Sequence, residues 1–352
     1  MADHLFDGII SRQVDTDRIR VNILERPGDD PATPAERTVV LVHGNVSSAL
    51  FWQEQMLALP SDLRVIAVDL RGFGDSETAP VDATRGLRDY SDDVHALLTA
   101  LEIPAAHLVG WSMGGGIVMQ YALDYPVLSL TLQAPVSPYG FGGTRRDGSR
   151  LTSDDAGCGG GGGNPDFVAR LAAGDMTDEA PTSPRSVFRS SYVAPGYTSA
   201  HEDVWVASMN TTRATEGNYP GDGVPSENWP GFAAGTVGVL NTMAPKYFNT
   251  AGLVDLADKP AILWIHGTAD AIVSDASFFD LNHLGAVGVI PGWPGEEVAP
   301  AQQMVSQTRD VLAAYEVAGG SVTEVELEGV GHSPHLEAPE QWRVALLAHL
   351  GR

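Results

Sequence analysis

Two rhythms of apolar positions alternate along most of the chain. Thr38 to His43, Val65 to Leu70 and Ala261 to Gly267 are near-continuous apolar runs, the pattern of strands covered on both faces. Leu128 to Gln133 and Val322 to Leu327 read as two further strands, and His107 to Val109 as the end of another. Between these runs the period lengthens to that of a helix. Val94, Leu97, Leu98 and Leu101 share one face, with Ser91 placed to cap it. Met304, Thr308, Val311, Leu312 and Tyr315 form a second stripe, with Gly319 past its end. Pro339 opens a last helix whose buried side carries Trp342, Ala345, Leu346, His349 and Leu350. Phe51 and Trp52 begin a shorter one. Near the amino end, residues 8–25 alternate apolar and polar around Asp15-Thr16-Asp17, which predicts an antiparallel hairpin at a sheet edge, and Pro27 to Glu36 reads as a polar loop. Strand and helix in alternation predict an α/β fold: a mostly parallel sheet with helices on both faces.

The rhythm breaks from about Pro138 to Leu256. This stretch carries the glycine run 159–163 and many prolines, with helical pieces expected at 165–173, 199–214 and 232–243 and no strong strand. It reads as a mainly helical cap inserted over the carboxyl edge of the sheet, where open α/β folds bind ligands. The organisation predicted is therefore a core of residues 1–137 and 257–352 with a cap of residues 138–256. The glycine run reads as a mobile loop, with a backbone anion nest as the alternative. A second long loop, Leu281 to Pro300, has the length of a lid.

Charge and cysteine count narrow the partners. The 352 residues carry a formal net charge of −24, which argues against nucleic acid and anionic membrane surfaces. The single cysteine, Cys158, excludes an intrachain disulfide and has no neighbour in sequence that would activate it. No run approaches 18 apolar residues and the first residues lack a basic, then apolar leader, so a cytoplasmic protein is expected. No metal site is expected either: His201, Glu202 and Asp203 are consecutive in a predicted helix and face different ways.

The chemistry concentrates at Val109-Gly110-Trp111-Ser112-Met113-Gly114-Gly115-Gly116, read as a strand end, a sharp turn and a helix start. Gly-x-Ser-x-Gly lifts a serine hydroxyl clear of the sheet, and the small flanking residues let neighbouring backbone come close. The pattern is common by chance in a chain with 39 glycines, so its weight depends on partners elsewhere. A serine hydroxyl needs a base, and the base needs an acceptor on its other nitrogen. His332, in Gly329-Val330-Gly331-His332-Ser333-Pro334 after the last strand, is the candidate base. Asp270, after the strand ending in His266-Gly267, is the candidate acid, with Asp275 in reserve; the strand at 128–133 ends without a carboxylate. Oxyanion donors are expected from the backbone N–H of Met113 and of Asn45. His43 and His335 read as bracing residues, and Asp69, Arg71 and Asp75 as fixing the turn after the second buried strand. Trp111, Tyr139, Tyr192, Trp205 and Trp229 are expected to line an apolar pocket for a small-molecule substrate.

Taken together, His43-Gly44-Asn45, Asp69-x-Arg71-Gly72-x-Gly74-x-Ser76, Gly110-Trp111-Ser112-Met113-Gly114-Gly115, Gly267-x-x-Asp270 and Gly331-His332-Ser333-Pro334 resemble the α/β-hydrolase superfamily, over roughly residues 8–137 and 257–350. The resemblance implies a sheet of about eight mostly parallel strands, a helical cap after the sixth, and no cofactor. His43-Gly44-Asn45-x-Ser47-Ser48 is similar to haloalkane dehalogenases, but those use an aspartate nucleophile where this chain has Ser112. Hydrolysis of a carboxylic ester or lactone through an acyl-enzyme is the expected reaction. Carbon–carbon bond hydrolysis of a diketone-like substrate by the same triad, and a weakly catalytic ligand receptor, remain alternatives.

Overall fold

The computed structural model describes residues 4–28 and 35–352; part of the polar loop expected at 27–36 lies outside the described residues. Two strands, β1 (Ile10–Asp15) and β2 (Arg20–Arg26), form the predicted antiparallel hairpin at one edge. The runs that follow become β3 (Thr38–Val42), β4 (Arg64–Val68), β5 (His107–Trp111) and β6 (Ser129–Gln133). A small hairpin, β7 (Gly223–Pro225) with β8 (Phe232–Ala234), stands apart, and β9 (Ala261–Gly267) and β10 (Val322–Leu327) complete the main sheet. The order across its eight strands is β1-β2-β4-β3-β5-β6-β9-β10. Only the pairings of β2, with β1 and with β4, are antiparallel; all others run parallel.

The continuous apolar runs are explained by this order. β3 and β6 lie inside the sheet, helices cover both faces, and every one of their residues is buried. β10 closes the far edge and exposes Thr323, Glu324 and Glu326, charged and polar groups that discourage further strand pairing. Strand order reverses about β3, whose neighbours β4 and β5 lie on opposite sides, so the carboxyl ends of β3 and β5 flank a crevice suited to a ligand.

The helices are α1 (Gln53–Ala58), α2 (Arg88–Ala100), α3 (Met113–Asp124), α4 (Pro165–Ala173), α5 (Pro184–Val187), α6 (Glu202–Met209), α7 (Leu281–Ala286), α8 (Met304–Val317), α9 (Pro334–Glu337) and α10 (Pro339–His349). Ser91 does not cap α2. That helix starts at Arg88, one turn earlier, because Leu87 at its N-cap is buried in the core and anchors the entry in place of a side-chain cap. The stripe on α8 holds: Met304, Thr308, Val311, Leu312 and Tyr315 are all buried.

Residues 138–256 depart most from expectation. The helix at 165–173 forms as read, opened by Asn164, whose Oδ1 accepts from the N–H groups of Asp166 and Phe167. The piece at 199–214 shrinks to α6. The stretch 232–243 is no helix: it begins as β8 and ends in a 3-10 turn, Leu240–Met243, so one short sheet exists where none was predicted. The loop at 281–300 begins with α7, capped by Asp280. The glycine run is not a loose loop. It forms a 3-10 turn, Gly160–Gly162, in which the Gly160 N–H donates to Asn241 Oδ1 at 2.8 Å. Among the described residues no helix is long and apolar enough to cross a membrane.

Candidate active site

Ser112 sits at the end of β5, between that strand and α3, with φ 57° and ψ −120°. This is a costly conformation for a residue with a Cβ, worth on the order of 1–3 kcal/mol. Neighbouring backbone holds it there: the Ser112 N–H donates to Gln133 O at 2.9 Å, and its carbonyl accepts from Val136 N at 3.0 Å. Gly114 must lack a side chain, since a Cβ would come within 2.4 Å of Val42 O and 2.5 Å of His43 O. α3 begins at Met113, whose amide, as the first of the helix, has no carbonyl one turn back to bond.

His332 arrives from the loop after β10. Its Nδ1 lies 2.8 Å from Asp270 Oδ2, with both side chains 1% exposed. The other carboxylate oxygen of Asp270 accepts from the N–H of Ile272 at 2.7 Å and Val273 at 2.9 Å. Three donors thus fix the carboxylate, and Nε2 is the imidazole nitrogen left for a serine. Ser112 and His332 line the same cavity. Asp275, the reserve acid, instead accepts from Ser306 N and Oγ on α8.

Two further contacts hold the His332 loop. Trp111 Nε1 donates to His332 O at 2.7 Å, which ties the serine strand to the histidine loop. Glu337, half-buried at the end of α9, accepts from Gly331 N at 3.0 Å, Ser333 N at 3.2 Å and Ala194 N at 2.7 Å. Burial raises its pKa, against which these three N–H groups and His332 act. A Cβ on Gly331 would lie 2.5 Å from Ala194 N, so the loop passes this close only as glycine. Nothing in the local pattern announced Glu337 except an acid in the first turn of a helix that opens Ser-Pro. Glu337→Gln is expected to lower kcat about tenfold with KM within about twofold, because it loosens the base and not the pocket. Steady-state kinetics on both proteins checks this.

The loop after β3 is braced as read. His43 Nδ1 donates to Gly44 O at 2.7 Å and its Nε2 accepts from Leu70 N at 3.1 Å, while burial pulls its pKa down to about 4. The turn after β4 is fixed by Asp69, which accepts from Asp75 N at 3.0 Å and Ala49 N at 2.8 Å, and by Arg71, paired twice with Asp93. Asn45 lines the cavity, and its Oδ1 is buried without a partner. Tyr192 Oη donates to Asn45 O at 2.8 Å, so the segment 138–256 reaches the very loop expected to supply an oxyanion donor.

The cavity encloses about 390 Å³. Of the five aromatic residues expected in it, only Tyr192 is there. Trp111 is fully buried behind the site, against Phe51 and His335. Trp205 is fully buried under Phe51, with its Nε1 donating to Ser199 Oγ at 3.3 Å. Tyr139 packs over Gly148, and Trp229 donates to Pro291 O at 3.0 Å beside Gly285, both away from the cavity. Each indole or phenol ring found a neighbour that satisfied its apolar face elsewhere. The walls are instead Phe141, Phe167, Tyr219, Met243 and Leu281, together with the glycine run and Cys158. Burial pushes the Cys158 thiol well above its ordinary range, so it stays protonated.

His335 braces the site from below. Its Nδ1 accepts from Gln133 Nε2 at 2.7 Å, and its ring lies 4.4 Å from that of Trp52. Burial, then the charge His332 can carry, pull its pKa down to about 3. The unfolded chain takes up a proton at this residue near pH 6.5 and the folded one does not, so its stabilising contribution is full above that pH and falls as pH drops. Between pH 7.5 and 5.5 the protein is expected to lose about 1.4 kcal/mol relative to His335→Asn. Urea unfolding of both proteins at the two pH values checks this; parallel losses would contradict it.

Among the described residues, one group could bring three ligand atoms together for a metal, His266, Glu324 and Glu326, but Arg309 already pairs with both glutamates. It lies on β9 and β10, outside the cavity lining. His201, Glu202 and Asp203 do not converge: Glu202 pairs with Arg185 and Arg189.

Comparison with known proteins bears on this arrangement. The family described as Alpha/beta hydrolase family matches residues 39–345. The chain belongs to that family. Among α/β hydrolases of known structure, the esterase EaEST of Exiguobacterium antarcticum superposes with a TM-score of 0.59 at 16% identity, over 97% of this chain and 100% of that one. At that identity the likeness is one of fold. Two relatives in sequence are the provisionally named carbamate hydrolase RutD of Variovorax paradoxus, 44% identical over 103 residues, and 2-hydroxymuconate semialdehyde hydrolase of a Pseudomonas species, 34% identical over 120 residues. The matches take in 28% and 33% of this chain and only 38% and 40% of those relatives' own length.

Proposed function

We propose that this α/β hydrolase is a serine hydrolase that cleaves a carboxylic ester or lactone through an acyl-enzyme. The observation that carries the reading is the buried His332–Asp270 pair on the same cavity as Ser112. His332 Nε2 takes the Ser112 proton as the hydroxyl oxygen attacks the carbonyl carbon. Asp270 holds the imidazole in the tautomer that leaves Nε2 free and stabilises its charged form. The N–H groups of Met113 and Asn45 receive the oxyanion, and Tyr192, by holding the Asn45 carbonyl, keeps that second donor in place. His332 returns the proton to the leaving alcohol, then activates a water that frees the acid. In this reading residues 138–256 are a cap, which explains why they supply most of the cavity's apolar wall.

The carbon–carbon bond reading keeps one support, the likeness to 2-hydroxymuconate semialdehyde hydrolase. A panel of p-nitrophenyl esters, lactones and vinylogous diketones separates the two. A fluorophosphonate is expected to add one phosphonyl group, located at Ser112 by mass spectrometry, and to stop p-nitrophenyl butyrate turnover in proportion. Turnover that survives complete labelling of Ser112 would reject the assignment.

A further inference from the structure

The cavity wall has an uneven charge. None of the described residues lining it is a lysine or arginine, and the one basic group is His332 itself. One carboxylate does line it: Asp280, 2% exposed. Its Oδ1 accepts from Asn282 N at 3.0 Å and its Oδ2 from Gln302 N at 2.7 Å, so backbone amides hold it as the cap of α7. Burial raises its pKa, against which these amides and His283 act, and among the described residues no arginine or lysine pairs with it. Burial, then Asp155 and Asp280, raise the thiol of Cys158, which lines the same cavity. Lys246 Nζ donates to Ala234 O at 2.7 Å, and the residue does not line the cavity. The remaining walls are mainly apolar side chains and glycine backbone.

From this arrangement we infer that the cavity accepts uncharged substrates and rejects those bearing a carboxylate, with Asp280 as the residue that sets the preference. A carboxylate entering such a site gives up its hydration, meets no arginine or lysine and faces the buried carboxyl group of Asp280. A neutral acyl chain of similar size gives up little and gains contact with Phe141, Phe167 and Met243. The same wall disfavours any carbon–carbon bond substrate that carries a carboxylate. The inference rests on the reading of this cavity as the substrate site, and the test separates the two.

Two esters of matched size serve: p-nitrophenyl 5-methylhexanoate, and the mono-p-nitrophenyl ester of glutarate, which puts a carboxylate where the first has its isopropyl end. The neutral ester is expected to be favoured in kcat/KM by at least about 100-fold. Asp280→Asn is expected to narrow that ratio about tenfold. Phe279→Arg, at a residue that lines the cavity yet is 44% exposed, puts a cation at the rim without disturbing the α7 cap and is expected to narrow it further. Binding of the unreactive amides, 5-methylhexanamide against glutarate monoamide, to the Ser112→Ala protein reads the same preference without turnover. If neither ester reacts but the neutral amide still binds at least tenfold tighter, the hydrolytic reading fails and the charge preference stands. Ratios within about threefold in both kinetics and binding overturn the preference, whatever the esterase activity.

Discussion

Replacing Ser112 with alanine is expected to lower ester turnover by roughly 10⁴- to 10⁶-fold, with KM little changed. Alanine removes the attacking oxygen and nothing else of consequence: the half-buried side chain makes no hydrogen bond that anchors the turn, which is held by backbone contacts to Gln133 and Val136. The loss should therefore fall on kcat alone. A smaller residual rate is also expected to survive, because the cavity and the Met113 and Asn45 amides still bind and polarise a carbonyl. Alanine also relieves no strain, since the left-handed φ of 57° disfavours any residue with a Cβ. Thermal unfolding should move by less than about 0.5 kcal/mol. Burst and steady-state kinetics on matched preparations measure the effect, and a fall of less than about tenfold would reassign the nucleophile.

The second large effect is expected at Asp270. Asp270→Asn keeps the size of the side chain and can keep the acceptor toward Ile272 and Val273, but it offers an N–H₂ or a neutral oxygen to His332 in place of a carboxylate. An imidazole facing an amide donor turns its lone pair to Nδ1 and its proton to Nε2, the wrong tautomer for taking a proton from Ser112. The imidazolium also loses its only partnered charge in a site where both side chains are 1% exposed. The fall in kcat is expected to be about 10³- to 10⁴-fold. It should recover partly toward high pH, where hydroxide can do the work of the base. The pH–rate profile separates this from a folding defect, which would lower the rate at every pH alike. Asp275→Asn, on the same loop but bonded to Ser306, serves as the control and should leave kcat within about threefold.

Much of the framework was legible along the chain. The buried runs at 38–43, 65–70 and 261–267 read as strands covered on both faces, and the glycines around Ser112 gained their meaning from the strand before them and from Asp270 and His332 after later strands. The spacing of Asp270 and His332 after successive strands then set both at the carboxyl edge, since parallel strands all end on that side. What the sequence did not carry was the direction of each buried side chain. A tryptophan buries its area equally well in a core or in a cavity wall, so Trp111 and Trp205 looked like pocket residues and pack behind it instead. Glycine composition likewise signalled freedom at 159–163, where Asn241, eighty residues on, fixes the turn.

Linear order determined the fold, the strand ends and the placement of Ser112, Asp270 and His332 after three of them, because burial period and chain direction are properties of neighbouring residues. Tertiary structure alone decided that Glu337 grips the His332 loop, that Asp280 gives the cavity its charge, and which aromatic rings a ligand can touch. Those depend on contacts such as 194 with 337 and 280 with 302, and no local pattern records which distant amide a carboxylate will accept from.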